Sequence, residues 1–201
     1  YGLPVNANFH AMYYNMEIFD RFGVDYPTEG MDWDDLIALA TRVSRESEGV
    51  LYRGLDPGSG PIWMSQPLSI QAIHPETNEP TVNTETWQRV FRLGKQIFDI
   101  PGNAYDAGNG SPQNQFMTEQ TLAILLDLNI FSKLETAAEE GGLLWNVTQY
   151  PSYPERPNTY GNASVYTMAA TSTTTYQDEV TQVLDVITSE EVQFELSQQG
   201  L

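Results

Sequence analysis

Cysteine is absent from the 201-residue chain, which excludes disulfides, thiolate zinc sites and a cysteine nucleophile without fixing a compartment. Lysine is nearly absent as well, with Lys95 and Lys133 alone. Only 9 basic residues stand against 27 acidic ones, a formal charge of −18 that repels phosphate backbones and anionic lipid headgroups alike. Nucleic acid and membrane surfaces are therefore set aside as partners. Histidine is confined to His10 and His74, neither in metal-ligand spacing with a second His, so no metal site is read and no cofactor is expected. No apolar run approaches the roughly 20 residues of a membrane-spanning helix. The first residues hold no initiator Met, basic n-region or apolar h-region, so no targeting segment is present to read.

What is there is enough for a packed core: 40% hydrophobic and 11% aromatic residues. The chain opens as a strand already in progress, with Leu3, Val5 and the run from Ala11 to Tyr14 on either side of a polar break at Asn6 to Asn8. A mature protein rarely starts in mid-sheet, and the expectation is an internal piece of a larger two-lobed protein. Asn15 to Gly23 reads as a short helix with Met16, Phe19 and Phe22 on one face. Asp32 N-caps a longer helix expected to run to about Ser47, with Trp33, Leu36, Ile37, Ala40 and Val43 inward. A Gly/Pro loop and a helical or irregular segment from near Ile62 follow. Thr84 opens a helix whose Trp87, Val90, Phe91, Gly94, Ile97 and Phe98 recur at three and four residues, leaving Arg89, Arg92 and Lys95 outside.

Beyond a polar loop, Ser111-Pro112 starts a helix, and the unbroken run Thr121 to Leu126 is that of a buried strand. A helix with Leu134 and Ala138 and a strand at Leu143 to Val147 continue the alternation of strands with helices, which favours an α/β architecture. The stretch from Tyr150 to Asn162, with prolines at 151, 154 and 157, reads as an aromatic-rich irregular connection. A strand at Ser164 to Ala170 and one last helix through Val180, Leu184, Phe194 and Leu196 close the chain without an obvious partner in it.

Candidate catalytic groups have bland readings. Asp34/Asp35 and Glu139/Glu140 sit at helix starts or on exposed faces. His10 and His74 read as ordinary loop or core histidines, and Gly58-Ser59-Gly60 lacks the Lys-Ser/Thr ending of a phosphate loop. Asp106 to Gly110 lacks the distal Glu of a calcium loop. What remains is a set of aromatics and amides in loops: Trp63, Tyr153, Tyr160, Asn8, Asp127 and Asn129. Aromatic faces that cover sugar C–H groups, with amides and carboxylates for the hydroxyls, are the chemistry of neutral polyol recognition. For any one of them core packing is the competing reading.

The order LP...N....YYN, F....GV, P....MDWDDLIALA, FMTEQTLAIL and NASVYTMAATSTT...DEVTQVLDVITSEEVQFELSQQG resembles the extracellular solute-binding proteins of ABC importers, in the sugar-binding group that includes maltose-binding protein. The resemblance covers essentially the whole chain. It implies the type II periplasmic-binding-protein-like α/β fold: residues 1–6 as a crossing strand from the first lobe, 7–162 as the second lobe, and 163–201 as a return segment of the first. It also implies ligand contacts at Asn8, Trp63, Asp127, Asn129 and Tyr160, with Phe131 replacing an absent Trp. The expected function is capture of a carbohydrate or similar polar solute by hinge closure, with no bond broken and delivery to a membrane permease. A monomer, extracellular or periplasmic and anchored as a lipoprotein, is the implied form. The alternatives are a polysaccharide-active hydrolase, which needs two carboxyl groups roughly 5 to 10 Å apart, and a ligand-presenting partner of a sensor receptor.

Overall fold

The computed structural model describes residues 2–58, 60–106, 108, 110–159 and 163–198. Strand β1 (Leu3–Asn8) and strand β2 (Ala11–Asn15) are separate, and only β2 enters the main sheet. Helix α1 (Met16–Phe22) follows at once, its first turn satisfied by the Asn15 side chain, which accepts from the N–H of Ile18, and closed by Gly23. Helix α2 (Trp33–Val43) is capped by Asp32, whose carboxylate accepts from the N–H groups of Asp34 and Asp35. It stops short of the expected Ser47. Ser44 turns the chain extended, and Arg45–Ser47 forms strand β3, a hairpin with β4 (Val50–Asp56) through Glu48 and Gly49, both at positive φ.

Helix α3 (Pro61–Ser65) and a 3-10 turn (Gln66–Leu68) lead by a long irregular excursion to α4 (Glu85–Asp99). The buried face of α4 is Trp87, Val90, Leu93 and Ile97, whereas Phe91 and Phe98 are exposed. The expected face is thus rotated, because the stripe that includes Leu93 fits the 3.6-residue repeat against the sheet. Helix α5 (Pro112–Met117) is capped by Ser111 and leads to strand β5 (Leu122–Asp127). Helix α6 (Phe131–Gly141) and strand β6 (Trp145–Gln149) complete the body.

The five strands lie in the order β3-β4-β5-β2-β6, with β4 and β5 parallel and the other neighbours antiparallel. Central β2 is buried on both faces: Met12 and Tyr14 join α1, α2 and α4 in one apolar cluster, while Ala11 and Tyr13 join α5 and α6 in the other. That double burial is why its sequence shows no polar alternation. Strand β4 lies so close to α2 at Gly54 that a Cβ there would sit 2.2 Å from the Ala40 carbonyl oxygen.

The closing strand does have a partner, contrary to expectation. Strand β7 (Ser164–Met168) pairs antiparallel with β1, from Leu3 opposite Met168 to Asn8 opposite Ser164. The final helical stretch is two helices, α7 (Gln177–Ile187) and α8 (Glu190–Gln198), broken at Thr188 and Ser189. No residue of either is buried, and Val180, Val183, Leu184 and Ile187 of α7 form an open apolar groove with Met168.

Candidate functional site

The start of β2 and the ends of β5 and β6 meet at one end of the sheet, since Ala11 is opposite both Asp127 and Gln149. Strand β4 ends on the same side with Asp56, one place beyond Leu55 and paired in parallel with Leu125, two residues before Asp127. Loops leaving the carboxyl ends of strands in open α/β sheets are where ligands bind. Here they enclose a cleft of about 500 Å³, walled by Phe9 and His10 from the β1–β2 turn, Phe131 from the start of α6, and Thr148, Gln149 and Tyr150 from the end of β6. That is the size of a small-molecule site. Glu29 and Ala163 complete its rim.

Buried hydrogen bonds hold this end of the sheet rigid. Arg53 on β4 donates to Asp56 Oδ2 at 2.9 Å, to Gln115 Oε1 at 2.7 Å and to the Asn103 carbonyl at 3.4 Å. Asp56 Oδ1 accepts from the N–H of Gly58, and this loop presses on β5, where a Cβ on Gly58 would lie 2.0 Å from the Leu126 carbonyl oxygen. Only glycine fits there, and its φ of +68 requires one besides. The loop delivers α3 and Trp63. Tyr13 donates to the Leu128 carbonyl at 3.1 Å and accepts from the N–H of Ile130 at 3.4 Å, fixing the β5–α6 loop. Burial pushes the Tyr13 phenol up to about 12 against the opposing Ile130 contact.

Four of the sequence-predicted contacts surround this cleft without forming its wall. Asn8 ends β1 beside Phe9. Trp63 stacks behind His10, with ring centroids 4.2 Å apart. Asp127 accepts from Gln113 Nε2 at 2.7 Å and from the N–H of Leu128 at 2.8 Å. Asn129, just ahead of α6, accepts from the N–H of Phe131 at 3.2 Å. Tyr160 lies outside the described residues. Phe131 does line the cleft, its ring set edge-on to Tyr13 at 5.8 Å. Tyr153 is a core residue whose hydroxyl donates to the Met64 carbonyl.

Phe9, His10 and Tyr150 were missed. A phenylalanine set between Asn8 and His10 is the one sign of the first in the sequence, and the structure leaves it 49% exposed. His10 is buried, and burial holds its imidazole below the ordinary value while Asp127 pulls the other way. Tyr150 is enclosed and its phenol is raised, first by burial and then by Tyr153. Among the described residues His10 Nε2, Thr148 Oγ1 and Tyr150 OH find no hydrogen-bond partner. Among them, too, no group of three or more His, Asp or Glu is placed to hold a metal ion, and no helix is long and apolar enough to cross a membrane.

A mixed sheet with a cleft at its strand ends and a separate two-stranded ribbon leaving beside that cleft is the fold of type II periplasmic binding proteins. The chain belongs to the family described as bacterial extracellular solute-binding proteins, whose profile matches residues 1–194. That family implies a periplasmic or extracellular location. Similar solved structures include a sugar transporter from Rhizobium etli in an open conformation, with TM-score 0.73, 18% identity, and coverage of 95% of this chain and 50% of that one. An ABC substrate-binding protein from Listeria monocytogenes in complex with cycloalternan gives TM-score 0.72, 15% identity and coverage of 96% and 49%. The GacH receptor of Streptomyces glaucescens, solved unliganded and with acarbose, gives TM-score 0.71, 17% identity and coverage of 99% and 51%. The chain thus spans about half the length of the structures it matches. These are binding and transport proteins, not enzymes. No curated protein gives a significant match.

Proposed function

We propose that the chain is part of the substrate-binding component of an ABC importer, and that its cleft captures a carbohydrate or similar polar solute. Residues 7–162 form one lobe, and 1–6 with 163–201 belong to a second. The observation that carries this reading is the cleft itself: about 500 Å³, walled by Phe9, Phe131, His10 and Tyr150, and open beside the strands β1 and β7. Aromatic rings beside hydroxyl and amide groups suit a neutral polyol. The exposed apolar groove of α7 fits a surface that the rest of the second lobe covers. Asn8, Asp127, Asn129 and Tyr160 join the contacts when the lobes close, Trp63 backs them, and the loaded monomer delivers its solute to a membrane permease. The parent is a lipoprotein on the outer face of the membrane.

Calorimetric titration of maltose, trehalose and mannitol into the full-length parent and into this chain tests the reading. The parent binds at least one of them saturably, and this chain binds it at least roughly tenfold more weakly because half of the contact surface is missing. Phe131→Ala in the parent lowers affinity by about tenfold or more, since a stacked ring contributes roughly 0.5–1.5 kcal/mol beyond its buried area. Failure of a broad sugar and polyol panel to bind the parent refutes the carbohydrate assignment, and equal affinity in the two chains refutes the two-lobe account.

A further inference from the structure

His10 occupies a slot that suits an uncharged ring only. Its imidazole lies 4.2 Å from the Trp63 ring at a 44° tilt and meets Tyr150 edge-on at 5.7 Å, while its other side faces the cleft. The residue is 8% exposed, and Nε2 is enclosed with no partner among the described residues. An imidazolium carries a proton on each nitrogen and needs an acceptor for each. A neutral tautomer with its proton on Nδ1 leaves only a lone pair at Nε2, which is far less costly to enclose than an unmatched N–H on a cation.

The charged and titratable groups around the slot act in both directions. Asp127 at the end of β5 attracts a proton to His10, but both of its oxygens already accept, from Gln113 and from the N–H of Leu128. Glu29, ahead of α2, stands exposed on the cleft rim. Tyr150, after β6, is enclosed as a neutral phenol, and α3 and α6 present the uncharged rings of Trp63 and Phe131. Of these influences enclosure is the strongest, with Asp127 opposing it. The neutral ring is therefore held fully above the ordinary histidine value of about 6.5, and that hold is lost as pH falls below it.

We propose that His10 is a positioning residue for Trp63 and an acid-sensitive latch on the cleft: the neutral ring props Trp63 and Tyr150 in place, and the protonated ring leaves the slot toward Asp127 and Glu29. Leaving the slot removes part of the cleft wall together with the support behind it. A solute held at neutral pH is then released in acid, a consequence that rests on the binding reading above, whereas the latch itself does not.

With only two histidines in the chain, proton NMR resolves His10 from His74 across a titration from about pH 8 to about pH 4.5. Tryptophan emission is followed in parallel, and the Trp63→Phe difference isolates the Trp63 share. The expected result is a His10 midpoint below that of a free histidine and a Trp63 emission change at the same midpoint. His10→Phe, which keeps a ring without a proton, and His10→Gln, which keeps polarity without a charge, both give a Trp63 emission that does not follow pH. The proposal is overturned if His10 titrates at or above the ordinary value, if Trp63 emission ignores its protonation, or if either variant keeps the wild-type pH profile. No ligand enters these measurements, so failure of the latch and failure of the carbohydrate reading are separate results.

Discussion

Replacing Arg53 with Met tests whether the strand-end architecture depends on one enclosed ion pair. The Arg53 and Asp56 side chains are each only 4% exposed and meet at 2.9 Å. Met fills a similar volume but leaves the Asp56 carboxylate enclosed, with the N–H of Gly58 as its remaining partner among the described residues, and takes a donor from Gln115 Oε1 at 2.7 Å. Breaking a buried pair by removing one partner costs about 3–5 kcal/mol. At roughly 2–4 °C per kcal/mol for a chain of this size, the Tm falls by about 6–20 °C. Circular dichroism melts and urea titrations at neutral pH measure it, with an unchanged m value showing that stability alone has moved. The double variant Arg53→Met with Asp56→Leu removes both charges and recovers more than half of the loss, because no unmatched ion is left inside. A single-variant loss under about 1 kcal/mol, the scale of an exposed pair, would refute the reasoning.

Gly54→Ala places its new carbon 2.2 Å from the backbone oxygen of Ala40, so α2 must back away from β4. The expected loss is about 1–3 kcal/mol in urea unfolding, and a neutral result means the two elements are not in register as described. Alkaline titration probes the enclosed phenols. Burial raises Tyr13 to about 12 and also raises Tyr150 and Tyr153. Because the fold holds the neutral phenols, stability is complete below the unfolded value of about 10 and drains away as pH rises through about 12. Phenolate absorbance should therefore lag in a subset of tyrosines and appear together with loss of far-ultraviolet dichroism. Full ionisation near about pH 10 in a still-native chain contradicts this.

Local chemistry made much of the fold readable. Asn15 and Gly23 bracket α1, Asp32 and Ser111 cap α2 and α5, and the continuous run in β5 marks a strand covered on both sides. Misreadings arose where two local patterns competed. Arg45 to Ser47 continues the polar face of α2 well enough to look helical, and only the Glu48-Gly49 turn discloses a hairpin. In α4, Phe91 and Phe98 looked like core by hydrophobicity, but Leu93 shares the buried stripe with Trp87, Val90 and Ile97. The partnership of β1 with β7 joins opposite ends of the chain, which no local window detects. The cleft was harder for the same reason. Asp127 and Asn129 have the right chemistry but serve Gln113, Leu128 and Phe131, while His10 gains its character from Trp63 and Tyr150, far away in sequence.

The β1–β7 ribbon also determines how anything attached to it can move. A lone connecting strand swivels about its single bonds, so the bodies on either side would tumble almost independently. Two backbones paired from Leu3–Met168 to Asn8–Ser164 turn together, which stiffens the connection against torsion, while the register shift between Pro4 and Asn6 leaves one place where it bends. Whatever is attached to it therefore follows both strands at once, and not the rotation of one backbone alone.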